Sequence, residues 1–340
     1  VGAILTSLTM VFTEQLVSIF DTNVEVHAFS KEYLFYYGFF IIPQLLFSSL
    51  QVYTIAIGKS NLAMISSLFG GVVNIVLDYV LIYQMNMGMK GAAIATGVGM
   101  AIPCIILFRG FLSKQNMLYF SKINSKFSVL LETMTNGFSE FSSYLVSGVV
   151  MLLFNAQMLK IAGENGVAAS TITFYVFAFM SALYMGYMMG VSPVLSYFYG
   201  ANNSSNLKKI RKISIRFISI ISVITTVLSV VFSDILVNIF TNQNSEVYAL
   251  AVDGNKLFSI ALLFVGFNTF ASMLFTALSN GKISAIISFS RTFIFLVGTI
   301  IILPIFFDLT GLWLAVPVSE VIAIILSFIL FKKYQNIYGY

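Results

Sequence analysis

Long stretches of this chain carry no charge at all. No charged side chain lies between Glu32 and Lys59, between Lys59 and Asp78, between Lys90 and Arg109, between Glu164 and Lys208, or between Lys256 and Lys282. About 20 consecutive apolar residues in a helix cross a bilayer core, and several of these runs are long enough. Charged residues make up 9% of the 340 and hydrophobic ones 59%, against a usual charged share of about 25% in soluble domains. Too few charges exist to cover a water-facing surface, so the solvent for most of the chain is lipid. The fold class expected is all-α and integral to the membrane.

Cys104 is the only cysteine and His27 the only histidine. An intrachain disulfide, a cysteine-based metal site and the His-rich catalytic arrangements are thereby excluded. The net charge of +5 reads as topology rather than as a nucleic-acid surface, because of where the cations lie. The sequence has no initiator Met and no signal peptide, and Val1 already sits in an apolar run; the expectation is a chain truncated at its N-terminus.

Polar breaks such as Asp21-Thr22-Asn23, Gly58-Lys59-Ser60-Asn61 and Gly200 to Asn206 divide the apolar stretches into ten predicted spans. They run over 1–18, 28–57, 62–84, 91–113, 128–159, 166–193, 213–237, 249–279, 284–307 and 311–333. With alternating helices, the loops 109–126 and 200–216 fall on one side with Lys59, Lys282, Lys332 and Lys333. The other side holds Lys31, Lys90, Lys160 and Lys256 among acids such as Glu25, Glu164 and Asp253. The positive-inside rule makes the first side cytoplasmic, C-terminus included.

An internal repeat organises the whole. Val17-Ser18-Ile19-Phe20 matches Val237-Asn238-Ile239-Phe240, and Glu14 meets Asp234 at the same offset of 220. Gly58-Lys59-Ser60 matches Gly281-Lys282-Ile283 at offset 223, and Gly91 with Ala95 returns to 220 against Gly311 and Ala315. Residues 1–116 therefore form a remnant of an N-terminal lobe (helices 3–6), 117–127 a cytoplasmic linker, and 128–340 a C-terminal lobe (helices 7–12), the parallel-repeat pattern of two-lobed transporters. The spans 128–159 and 166–193 have no counterpart before Val1. The expectation is a six-plus-six protein with 10 of 12 helices in this chain and on the order of 95 further residues ahead of it.

Asn74-Ile75-Val76-Leu77-Asp78, followed by Gly88-Met89-Lys90-Gly91-Ala92-Ala93-Ile94-Ala95-Thr96, resembles the fifth and sixth helices of the multidrug and toxic compound extrusion (MATE) family. Asn136 to Phe141, Gly163 to Ala169 and Pro193 to Ala201 resemble the seventh and eighth helices of its MepA-like and DinF-like bacterial branch. Phe198 departs from that branch, which often has Asn there. The resemblance covers nearly all of the chain. It implies a two-lobed helical bundle that exports small amphipathic, often cationic compounds in exchange for Na⁺ or H⁺, working as a monomer without a cofactor.

Ionisable groups inside a span are functional candidates by default. Asn74 and Asp78 share a helix face at a spacing of four, and Thr96 on the next helix offers a hydroxyl. Carboxylate, amide oxygen and hydroxyl are hard oxygen ligands suited to Na⁺, while the carboxylate alone can carry a proton. The resemblance implies that these three, with an Asp on the family's first helix, form the coupling-ion site. The competing reading leaves Asp78 at the outer interface, ending a buried polar patch. The repeat argues against it, since 294–301 carries no such polar set and Thr96 faces Val316. Glu140, near mid-membrane, is a candidate to exchange a proton for a drug, or else a protonated structural carboxyl. Glu320, similarly deep, is a second candidate for substrate or proton binding. Arg291 is either its partner or a side chain that snorkels to the cytoplasmic surface, and the sequence reading favours snorkelling. Glu14 and Asp234, equivalent in the repeat, suggest a shared structural role.

Secondary active export by alternating access accounts for these features. No Gly-x-x-x-x-Gly-Lys-Ser/Thr run is present, which argues against direct ATP hydrolysis. A lipid-linked precursor flippase would need a strongly basic cavity, and Arg291 is the only deep cation. A membrane enzyme acting on lipids would need a His or Asp cluster that this chain lacks.

Overall fold

The computed structural model describes residues 1–18, 24–112, 118–121 and 127–338; residues 24, 25, 132, 136, 138–140, 142–145 and 336 are described by backbone alone. These residues are almost entirely helical, and they fall into two compact units, Val1–Asn124 and Ser125–Tyr340.

The first unit opens with α1 (Gly2–Val11) and α2 (Thr13–Ser18), which continue one another across a break at Phe12. Next come α3 (Val24–Gly38) and α4 (Ile41–Ala56). The sequence predicted one span here, 28–57; the structure divides it into two helices that meet at a bend of 61°. A left-handed turn at Gly58 (φ 80) leads to α5 (Ser60–Asp78), which widens into a π-helical segment at Tyr79–Gln84. α6 (Gly88–Gly110) closes the unit. It buries Gly91, Ala93, Ala95, Gly97 and Gly99, because α3, α4 and α5 all pack against it. Residues without bulk at these positions allow three helices to approach one.

The second unit begins with α7 (Phe127–Gly200), far too long for a single crossing at 1.5 Å per residue. Its backbone breaks at Gly163 (φ 65, ψ −161), which separates two spans. α8 (Ser204–Val231) and the short α9 (Ser233–Asn238) follow. α10 (Glu246–Phe258) joins α11 (Leu262–Ala277) through a 3₁₀ turn at Ser259–Ala261. α12 (Gly281–Phe289) runs through a second π segment, Ser290–Phe295, into α13 (Leu296–Tyr338). α13 is itself broken at Asp308 (φ 45), so it too is two spans. Phe154, Phe258 and Trp313 sit at the centre of an aromatic cluster in this unit.

The structure moves one predicted boundary by more than two turns. The sequence reading begins a span at residue 213 and leaves the basic stretch before it as loop; α8 starts at Ser204. Asn203 caps it by accepting the Asn206 backbone N–H at 3.0 Å, and the following Lys and Arg residues are good helix formers.

The two units repeat their irregularities. Breaks at Phe12 and Phe232 correspond, as do those at residues 39–40 and 259–261, and the positive φ at Gly88 matches that at Asp308. Thr13 and Ser233 are both buried, and so are Val17 and Val237. Glu14 pairs with Lys31, and Asp234 lies 3.9 Å from Lys256. The shared role suggested for these two acids is a tie, within each unit, from the short second helix to the one that follows.

Candidate functional site

In the first unit the end of α5 carries the predicted pair. Asn74 donates its side-chain N–H to Asp78 Oδ2 at 3.2 Å. Both residues are half-buried. Among the described residues no other side chain bonds to the Asn74 amide oxygen or to Asp78 Oδ1. Asp78 is the last α-helical residue before the π segment, and such segments occur frequently at functional sites.

Asn74 also lines a cavity of about 260 Å³ between α4, α5 and α6, together with Thr96, Gln51, Ser67, Met100 and Pro103. The structure thus brings Asn74 to Asp78 by a hydrogen bond, and to Thr96 across one cavity. Asp78 is not part of that lining. Gln51 on α4 donates to Ser67 Oγ on α5 at 2.8 Å, adding two polar groups to a lining that is otherwise mostly apolar. Sequence reasoning missed Gln51 because it is uncharged and lies on a helix read as uninterrupted.

α5 and α6 come close enough to build this site because both are glycine-lined there. A Cβ on Gly70 would meet the Gly99 carbonyl oxygen at 2.4 Å, and a Cβ on Gly99 would meet the Asn74 Cβ at 2.8 Å. Gly99 is therefore the floor on which Asn74 rests.

The second unit holds a different polar set. Glu320 on α13 is 5% exposed. One of its oxygens accepts from Arg291 Nε at 2.7 Å, and the other accepts from Asn268 Nδ2 at 2.7 Å. Asn268, fully buried on α11, donates also to the Glu320 backbone carbonyl at 2.9 Å and accepts from Ser327 at 3.0 Å. Arg291 Nη1 reaches Thr269 Oγ1 at 3.2 Å. The expectation that Arg291 snorkels to the surface is overturned: it is an ion-pair partner within the unit. Asn268 was missed because no ionisable residue shares its helix face at a spacing of three or four, as Asp78 does for Asn74. An amide inside the uncharged run between Lys256 and Lys282 was the available signal.

Glu140 lies on the helical backbone of α7, and its side chain is outside the described residues. Among the described residues no group of three His, Cys, Asp or Glu side chains could hold a metal ion, so a transition-metal centre has no donor set there. The oxygen donors at Asn74, Asp78 and Thr96 suit an alkali cation or a proton.

Helices that break in matched places in two units, apolar outer faces and a few deep polar groups define a multi-pass helical membrane protein. The MatE family profile matches residues 1–80 and 139–301, and the chain belongs to that family. It is 26% identical over 345 residues to the multidrug export protein MepA of Staphylococcus haemolyticus, covering 98% of this chain and 74% of that protein. The MepA of Staphylococcus saprophyticus is 25% identical over 317 residues, covering 92% and 67%. Among solved structures, a MATE in complex with MaL6 superposes with a TM-score of 0.93 at 20% identity, covering 99% of this chain and 76% of that one. An outward-facing MATE family multidrug resistance transporter gives 0.88 at 21% identity, covering 99% and 77%. The two MepA proteins are bacterial, which fits the MepA-like branch resembled in sequence.

Proposed function

We propose that the chain serves as a secondary antiporter that exports amphipathic, cationic compounds in exchange for Na⁺ or H⁺, with its C-terminus on the cytoplasmic side and as a monomer. The observation that carries this reading is the Asn74–Asp78 pair at 3.2 Å beside a cavity that Asn74 shares with Thr96. A carboxylate whose second oxygen stays open, with an amide oxygen one turn away, is a ready receptor for a small cation. Binding there neutralises a charge that is expensive to hold in a membrane, so occupancy by ion can be linked to a change of conformation. The relatives' names, multidrug export protein, supply the class of cargo.

In the second lobe Glu140 is the proposed carboxyl for proton or substrate. Glu320 takes that part only when Arg291 is displaced, because both of its oxygens are engaged. The same pairing weakens the flippase reading. Arg291, the deep cation that would have to meet a pyrophosphate, is already neutralised by Glu320.

The test is ethidium efflux from cells expressing the protein from its own gene, as wild type and as Asp78→Asn, with sodium and proton gradients collapsed separately. Gradient-dependent efflux that falls at least tenfold in Asp78→Asn is expected, and the gradient whose collapse stops wild-type efflux names the ion. Efflux by the wild type that is indifferent to both gradients, or unchanged in Asp78→Asn, would sink the coupled mechanism.

A further inference from the structure

The first three turns of α8, read as loop from the sequence, place Lys208, Lys212 and Arg216 at spacings of four on one helical face. All three are exposed, as is Lys209 beside them. The i, i+4 row winds on around the exposed side of the helix as Ile220, Ile224 and Leu228, which are 60%, 45% and 41% exposed. Opposite it, Leu207, Ser214, Ile218, Ser222, Thr225 and Ser229 are buried against the rest of the unit.

The exposed side of one helix is thus cationic in its first turns and apolar in the turns that follow. Residues 204–231 contain no Asp or Glu. Among the described residues none of Lys208, Lys209, Lys212 and Arg216 takes part in an ion pair. From Lys208 to Arg216 the rise is about 12 Å. The headgroup zone on each side of a bilayer is about 5–8 Å deep, and flexible stems let cations above and below reach it. α8 is long and apolar enough to cross a membrane, and these cations stand on its exposed side with Ile220, Ile224 and Leu228 rather than buried against the unit.

We propose that this face is a binding surface for anionic phospholipid. Lys208, Lys212 and Arg216 hold the phosphate-bearing headgroup, and Ile220, Ile224 and Leu228 lie along its acyl chains. The charge complementarity is with a lipid of net negative charge. A zwitterionic headgroup brings its own cation to a face that has no carboxylate to receive it.

Native mass spectrometry of the purified full chain in an uncharged detergent tests this. Phosphatidylglycerol and phosphatidylcholine of identical chains are titrated into the wild type, into Lys208→Gln/Lys212→Gln/Arg216→Gln, and into Lys282→Gln/Lys332→Gln/Lys333→Gln. The control removes the same charge from exposed lysines elsewhere in the unit. With Lys208, Lys212 and Arg216 each touching the bound headgroup, at about fivefold in affinity per cation, the α8 triple variant should bind phosphatidylglycerol about 100-fold more weakly. The control should change by less than fivefold, and phosphatidylcholine should bind all three proteins weakly. If the α8 variant melts well below wild type, the single Lys212→Gln must still weaken phosphatidylglycerol binding about fivefold. Equal losses in both triple variants would reduce the effect to net charge and overturn the proposal. So would displacement of phosphatidylglycerol by inorganic phosphate at matched ionic strength, which would mark a site for soluble anions.

Discussion

Arg291 lies ten residues past the start of α12 at Gly281, a rise of about 15 Å and half of a hydrocarbon core about 30 Å thick. An arginine stem cannot cover that distance, which is why snorkelling loses to pairing with Glu320 at 2.7 Å. Removing one member of a buried pair strands the other, at about 3–5 kcal/mol. Arg291→Met should therefore lower the melting temperature of the detergent-solubilised protein sharply. Arg291→Met/Glu320→Gln should recover part of the loss, since no charge is then left alone. A double variant no more stable than the single one would show that the pair is not what Arg291 contributes. The candidate site in the first unit was legible at this scale: Asn74 and Asp78 are four apart, and they do bond. The second unit's network was not, because its keystone Asn268 is neutral and its partners Arg291 and Glu320 lie 29 residues apart in sequence. Spacing rules on a single helix do not reach that far.

Between elements, what decides the site is how near α5 and α6 approach. Gly70 and Gly99 face one another so closely that a methyl on either would meet backbone. Gly99→Ala should push Asn74 aside or spread the helices, an overpacking worth about 1–3 kcal/mol. A displaced Asn74 side chain loses its bond to Asp78 within α5, so gradient-dependent efflux should fall as well. Gly71→Ala is the comparison: its added Cβ meets nothing within 4 Å, and Ala is the better helix former by about 1 kcal/mol, so stability should hold or rise. Melting curves together with ethidium efflux on the two variants separate packing from coupling, and equal behaviour would argue against a glycine floor. Helix existence was legible from apolar runs, but helix shape was not. Composition cannot distinguish the 61° bend between α3 and α4 from a straight span, since residues 33–57 carry no charge to mark a break. The early start of α8 was hidden by its charges, which mark polarity and say little about backbone conformation.

Across the whole chain, the repeat found in sequence is also a repeat of turns, and comparing them corrects its register. Matching Gly58-Lys59 to Gly281-Lys282 gives an offset of 223. The left-handed residue after α4 is Gly58 (φ 80), and the one after α11 is Ser279 (φ 56), an offset of 221. The hydrogen bonds agree: Gly58 N–H donates to Ile55 O and Lys59 N–H to Thr54 O, as Ser279 N–H donates to Thr276 O and Asn280 N–H to Phe275 O. Asn202 (φ 53) ends α7 with the same pattern, its N–H on Tyr199 O and that of Asn203 on Phe198 O. Identical residues misled the alignment because the turn requires a backbone conformation, and Gly, Ser and Asn meet that requirement at different energies. A side chain in the left-handed region costs about 1–2 kcal/mol, while glycine loses more chain entropy on folding, about 0.4–1 kcal/mol. Gly58→Ala should then destabilise by up to about 1 kcal/mol, since its Cβ meets nothing within 4 Å and only the backbone term acts. Ser279→Gly should stabilise by a similar amount, because the serine is exposed and no described hydrogen bond of its side chain is lost. Thermal melting of the two variants against wild type should show shifts of opposite sign. A fall in both would mean that Ser279 contributes something other than its place in the turn, and the structural register of 221 would lose its support.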